Sequence, residues 1–96
     1  MRKFNLQYPV RLDDGSMIRA VTIGTSIAHL DRAAPEWRSW PHPLDAYAVV
    51  AAMTGLPLTI VEQFDAWDLH DLAWLVHEAI GKEIRHNRLA RNGEKN

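Results

Sequence analysis

Cysteine is absent from this chain, which removes disulfides, thiolate metal ligands and thiol nucleophiles at once and suits a reducing compartment. Long uncharged apolar runs are absent too: none approaches the roughly 20 residues of a membrane helix. The segment Met1–Gln7 alternates polar and apolar residues, unlike the continuous apolar core of a signal peptide. The five glycines stand far apart, so no phosphate-binding loop or dinucleotide fingerprint can be assembled from them. Positive charge is missing from the middle of the chain: no Lys or Arg occurs between Arg38 and Lys82, whereas Asp45, Glu62, Asp65, Asp68, Asp71 and Glu78 all fall there. The net charge of -1 therefore hides an acidic centre and a basic end at Lys82, Arg85, Arg88, Arg91 and Lys95, which suits a helix C-terminus.

What is present describes one small globular domain. The 96 residues are 47% hydrophobic and 24% charged, enough for a modest core and too apolar for wholesale disorder. The expectation is a soluble intracellular protein with a single domain over 1–91, a hairpin over about 3–24, helices over about 26–90, and a frayed tail at 92–96.

Phe4, Leu6, Tyr8, Val10 and Leu12 alternate with polar residues and Pro9, the period of a strand with one buried face. Asp14-Gly15 offers a two-residue hairpin turn, and pairing around it sets Leu12 opposite Met17, Val10 opposite Arg19, Tyr8 opposite Val21 and Leu6 opposite Ile23. Pro9 cannot donate to a ladder and places this strand on an edge. Arg19, alone among apolar neighbours, reads as a rim residue or part of a subunit contact. Two strands alone are marginal in water, so helices must cover the hairpin.

Ser26 is placed to cap a short helix through about Ala33, and Pro35–Pro43, with Trp37 and Trp40, reads as an ordered crossing. Leu44–Thr54 is apolar almost all round, the pattern of a central buried helix, with Gly55 as its stop. Pro57 opens a short helix with Leu58, Val61 and Phe64 as its apolar contacts, and Asp65 or Asp68 caps a last helix over about Ala66–Leu89. Leu69, Leu72, Ala73, Val76, Ile80 and Ile84 form its core stripe; Trp67 and Trp74 lie on the far face beside His70, Asp71, His77, Glu78 and Gly81. The fold class is α+β, an N-terminal β-hairpin packed against three to four α-helices.

His70 and His77, with Asp71 and Glu78 beside them, invite a metal reading, but residues seven apart lie about 10 Å apart along a helix, too far to share one ion. His77-Glu78 begins a metalloprotease motif, yet Gly81 stands where its second His belongs. No nucleophile elbow occurs, and Asp13-Asp14 belongs to a turn. The reading is non-enzymatic, with no metal and no cofactor. Ala51, Gly55 and Val61 have the spacing of a DNA-binding helix-turn-helix, but the recognition segment Leu58–Phe64 carries no cation to neutralise phosphate, so nucleic acid is not expected. A small DNA-binding regulator stands as one alternative and a generic protein-interaction adaptor as another. Exposed aromatics anchor protein interfaces, which makes Trp67 and Trp74, with neighbouring His70, the candidate partner-binding residues. If the hairpin and the Pro35–Pro43 crossing sandwich this helix, the same tryptophans are core instead.

Tyr8-Pro9-Val10 with Asp14-Gly15 and the second strand, Leu30-Asp31, Met53-Thr54-Gly55-Leu56-Pro57, and Val61 to Phe64 with Asp68 and Leu72 together resemble the short phage tail assembly chaperones of Mu-like and related contractile-tailed phages and prophages. The likeness covers about Leu6 to Ile80 through short motifs, and Trp37–Pro43 departs from the family pattern. It implies a non-enzymatic chaperone in the cytoplasm of the bacterial host, binding the tape measure protein, and the tail tube protein as a further partner, while the tube polymerises. Such families often have a longer form made by ribosomal frameshifting. Edge strands and an alanine-rich helix permit a homo-oligomer without requiring one.

Overall fold

The computed structural model describes residues 1–41 and 45–94, with side chains through residue 87 on the last helix. It shows the α+β architecture: strands β1 (Arg2–Arg11) and β2 (Met17–Ile23), then helices α1 (Ile27–Ala33), α2 (Ala46–Thr54), α3 (Leu58–Val61) and α4 (Ala66–Glu94). A 3-10 turn, Trp37–Ser39, lies in the crossing between α1 and α2. His42 and Pro43 of that crossing, and Leu44, lie outside the described residues, as do Lys95 and Asn96.

The hairpin forms, but not in the register that alternation and a two-residue turn predict. Leu12 N–H donates to the Ser16 carbonyl at 2.8 Å and Gly15 N–H to the Leu12 carbonyl at 3.0 Å, so the loop holds Asp13, Asp14 and Gly15. Gly15 has φ +88 while no described non-glycine residue has positive φ, which rules out a turn needing two left-handed residues and matches a type I turn followed by a left-handed glycine. Asp14 stabilises it by accepting from both the Ser16 N–H (2.9 Å) and hydroxyl (2.6 Å), bonds that hold its carboxyl below the usual 3.8. Near the turn Val10 pairs with Ile18 and Arg11 with Met17.

Farther out a second shift intervenes. Phe4 pairs with Val21 and Asn5 with Ala20, so Leu6, Gln7, Tyr8 and Pro9 face only Arg19 across the ladder. This bulge breaks the simple alternation: Leu6 and Val10 remain buried, Phe4 packs partly against the core, and Tyr8, expected inside, is 49% exposed. Pro9 supplies no N–H, and the amides of Gln7 and Tyr8 turn instead to α4. Arg19 is exposed, as a rim position requires.

The helices follow local chemistry closely. Ser26 Oγ accepts from His29 N–H at 3.0 Å, Asp45 Oδ1 from Ala48 N–H at 3.1 Å, and Asp65 Oδ2 from Trp67 N–H at 2.9 Å. Gly55, at φ +75, ends α2 in the left-handed conformation. α3 is a single turn with Pro57 just outside it as N-cap; Val61 and Phe64 are buried, but Leu58 is 47% exposed, with Leu56 and Ile60 packing in its place. α4 runs past the expected Leu89 to Glu94, so Asn92–Glu94, read as tail, are helical.

The core joins Leu6, Val10, Val21 and Ile23 of the hairpin to Leu30, to Val49, Val50 and Met53 of α2, and to Leu69, Leu72, Ala73, Val76 and Ile80 of α4. Ile84, assigned to the same stripe, is 42% exposed because α4 has there outrun the body: the molecule measures 59 × 25 × 19 Å. Trp37 belongs to this core at 8% exposure, and Trp40 packs at its edge. The Trp37 indole N–H and Arg38 guanidinium donate to the same Asp31 oxygen at 2.7 and 2.6 Å, while the guanidinium lies 4.5 Å over the Trp37 ring. The indole bond first, then Arg38, hold the Asp31 carboxyl below its ordinary value.

Candidate functional site

The first stretch of α4 packs one face on the core and leaves the other bare. Asp65 fixes its start, and the helical repeat then turns Leu69, Leu72, Ala73 and Val76 inward. Trp67, His70 and Trp74 fall on the outer face, where Trp67 is 69% and Trp74 is 55% exposed. The exposure of both tryptophans shows that they are not sandwiched as core residues; of the crossing, Trp37 is the tryptophan that joins the core.

Beside them an open groove of about 320 Å³ runs between α2 and α4. Leu69 and Ala73, 7% and 5% exposed, form its floor, Tyr47 and Trp74 rise as walls, and His70 and His77 supply its polar edge. His70 Nδ1 lies 3.5 Å from Asp71 Oδ1, and the Trp67 and His70 rings meet edge to face at 6.5 Å and 78°. Of the three candidate residues, then, His70 and Trp74 line the groove and Trp67 flanks it through His70.

Tyr47 was missed. The run Leu44–Thr54 reads as buried on all sides, whereas α2 starts at Ala46 and leaves Tyr47 45% exposed on the groove wall. A lone tyrosine among alanines and valines was the available signal, since its hydroxyl favours a wet edge. A neighbouring depression lined by Tyr47, Ala48 and Leu58 carries Asp45 and Glu62, so the apolar surface of α2 and α3 has an acidic rim. On the opposite flank Trp74 and Leu75 meet Phe4 of β1, with Asp71, Arg2 and Lys3 around them.

The arrangement is an apolar floor edged by aromatic rings and two histidines. Among the described residues no group of three His, Asp or Glu side chains is placed to hold a metal ion, and no helix is long and apolar enough to cross a membrane. The segment resembling a recognition helix is one turn long, with Val61 buried, too short to lay a row of side chains along a DNA groove. Comparison of the chain with known protein families, with curated proteins and with solved structures finds no match.

Proposed function

We propose that this chain is a non-enzymatic tail assembly chaperone of a phage or prophage, acting in the host cytoplasm by receiving an apolar stripe of the helical tape measure protein in the groove between α2 and α4. The observation that carries the reading is the exposure of Tyr47, Trp67 and Trp74 around the Leu69–Ala73 floor. Large aromatics standing in water over an apolar floor cost solvation that a partner's apolar side chains recover, and helix-in-groove docking places such side chains at the needed spacing. The rim acids Asp45 and Glu62 add register without demanding a strongly charged client. The resemblance of the short motifs from Tyr8-Pro9-Val10 to Leu72 to those of tail assembly chaperones supports the tape measure protein as that client.

The test is co-expression with the tape measure protein encoded nearest its gene, followed by gel filtration in moderate salt. A joint soluble peak, with the tape measure protein insoluble alone, is the expected result, and a Tyr47→Ala, Trp74→Ala double variant should lose it while remaining folded. A client that stays insoluble while this chain elutes alone would overturn the reading.

A further inference from the structure

Trp74 and Gly81 are seven residues apart on α4 and so share a face to within about 20°. Trp74 projects into solvent at 55% exposure, whereas the space a side chain at Gly81 would enter is empty to 4 Å. A protruding indole and a position bare of any side chain therefore stand on one surface of one helix. Charge is divided along the same surface: Asp71 lies toward its N-terminal side and Arg85 toward its C-terminal side, both exposed, while between them Lys82 pairs with Glu78 of its own helix at 3.2 Å. Beyond Ile80, the last buried residue among those described on α4, Ile84, Arg85, His86 and Asn87 are exposed as the helix leaves the body.

We infer that a second copy of this chain covers this face, the two α4 helices pairing antiparallel about a two-fold axis that passes beside His77 and Glu78. In that register Trp74 of each copy lies level with Gly81 of the other, and Asp71 of each lies level with Ile84 and one position from Arg85 of the other. A two-fold axis keeps equivalent flanks on the same side, so Asp71 meets Arg85 rather than another acid, and the two Glu78 carboxylates that come near the axis are each held by Lys82 of their own helix. This helix itself carries the complementarity for a second copy: the Trp74 indole against the bare Gly81 position and Asp71 against Arg85, both reversed by an antiparallel partner. The exposed end of α4 gains a surface to lie on, because the partner's body flanks it. This pairing does not depend on any client, and it engages Trp74, so a client entering the α2 and α4 groove competes with it.

Sedimentation velocity of the purified full chain over about a hundredfold range of concentration tests the pairing with nothing else present. A species of twice the 11.0 kDa protomer mass is expected, and it should dissociate more readily as salt rises. Arg85→Glu and Asp71→Arg should each weaken it by about tenfold, and the two together in one chain should restore it. Gly81→Gln places a side chain at this open helical position, where the partner's Trp74 would lie, and should weaken it with the helix intact by circular dichroism. A monomer at all concentrations, species larger than a dimer, or a dimer indifferent to the charge reversals and to Gly81→Gln would each overturn the inference.

Discussion

Asp68 shows how one side chain decides a strand's register. It is 1% exposed, and its two carboxylate oxygens accept from the backbone N–H groups of Gln7 at 3.0 Å and Tyr8 at 2.9 Å. From sequence Asp65 and Asp68 are equally placed to cap the last helix, and Asp65 is the one that does. The two amides belong to the stretch of β1 that bulges away from β2, and in this partly buried position the carboxylate replaces the ladder partners the bulge removes. A carboxylate suits them because it accepts at both oxygens and donates at neither. Asp68→Ala strands both amides and should lower stability by about 2–4 kcal/mol, read as a shift of the urea midpoint with little change in slope. An unchanged midpoint would show that water replaces the carboxylate without cost.

At the scale of elements, the helices are set mostly by their ends. Ser26, Asp45 and Asp65 each cap through a side-chain oxygen, and α1 receives a second, distant cap: Ile27 N–H donates to Glu83 Oε2 of α4 at 2.9 Å. That bond accounts for an acid standing inside the basic end of the chain, where the helix dipole of α4 alone would not favour it. The glycines separate by backbone conformation. Gly55 sits at φ +75, where a Cβ strains against the backbone, whereas Gly81 lies within α4, where glycine merely costs entropy. Gly55→Ala should therefore destabilise by about 1–2 kcal/mol, and Gly81→Ala should stabilise by about 0.5–1 kcal/mol. Thermal melts of the two variants check this, since equal shifts of either sign would contradict the assignment of these positions.

Across the whole molecule, the four tryptophans divide into two kinds that sequence cannot separate. Trp37 is buried, hydrogen-bonded to Asp31 and covered by Arg38, and Trp40 packs at the edge of the core, while Trp67 and Trp74 are among the most exposed large apolar residues. Trp37→Ala should cost about 3–5 kcal/mol by opening the core. The Trp67→Ala, Trp74→Ala double variant should stay within about 0.5 kcal/mol of the parent for each site. Chemical denaturation followed by circular dichroism distinguishes them, and a double variant that fails to fold would return both residues to a structural role.

Local chemistry made the hairpin, the caps at Ser26 and Asp65, the Gly55 stop and the inward stripe from Leu69 to Ile80 legible in the chain, because each depends on residues within a turn or two of one another. The placement of Trp67 and Trp74 on the outer face was legible for the same reason, through the helical period. Whether that face was covered was not, since it depended on where the crossing put Trp37. Tyr47 became part of the groove only when α2 and α4 packed side by side. The register of β1 likewise lay beyond alternation and turn type: Gln7 and Tyr8 found their acceptor sixty-one and sixty residues away, at Asp68. The sequence by itself determined which segments are strands and helices and, through Ser26, Gly55 and Asp65, several of their ends; only tertiary packing decided how the strands pair and which aromatics stay in water, because a buried acceptor and a covering neighbour are supplied from distant parts of the chain.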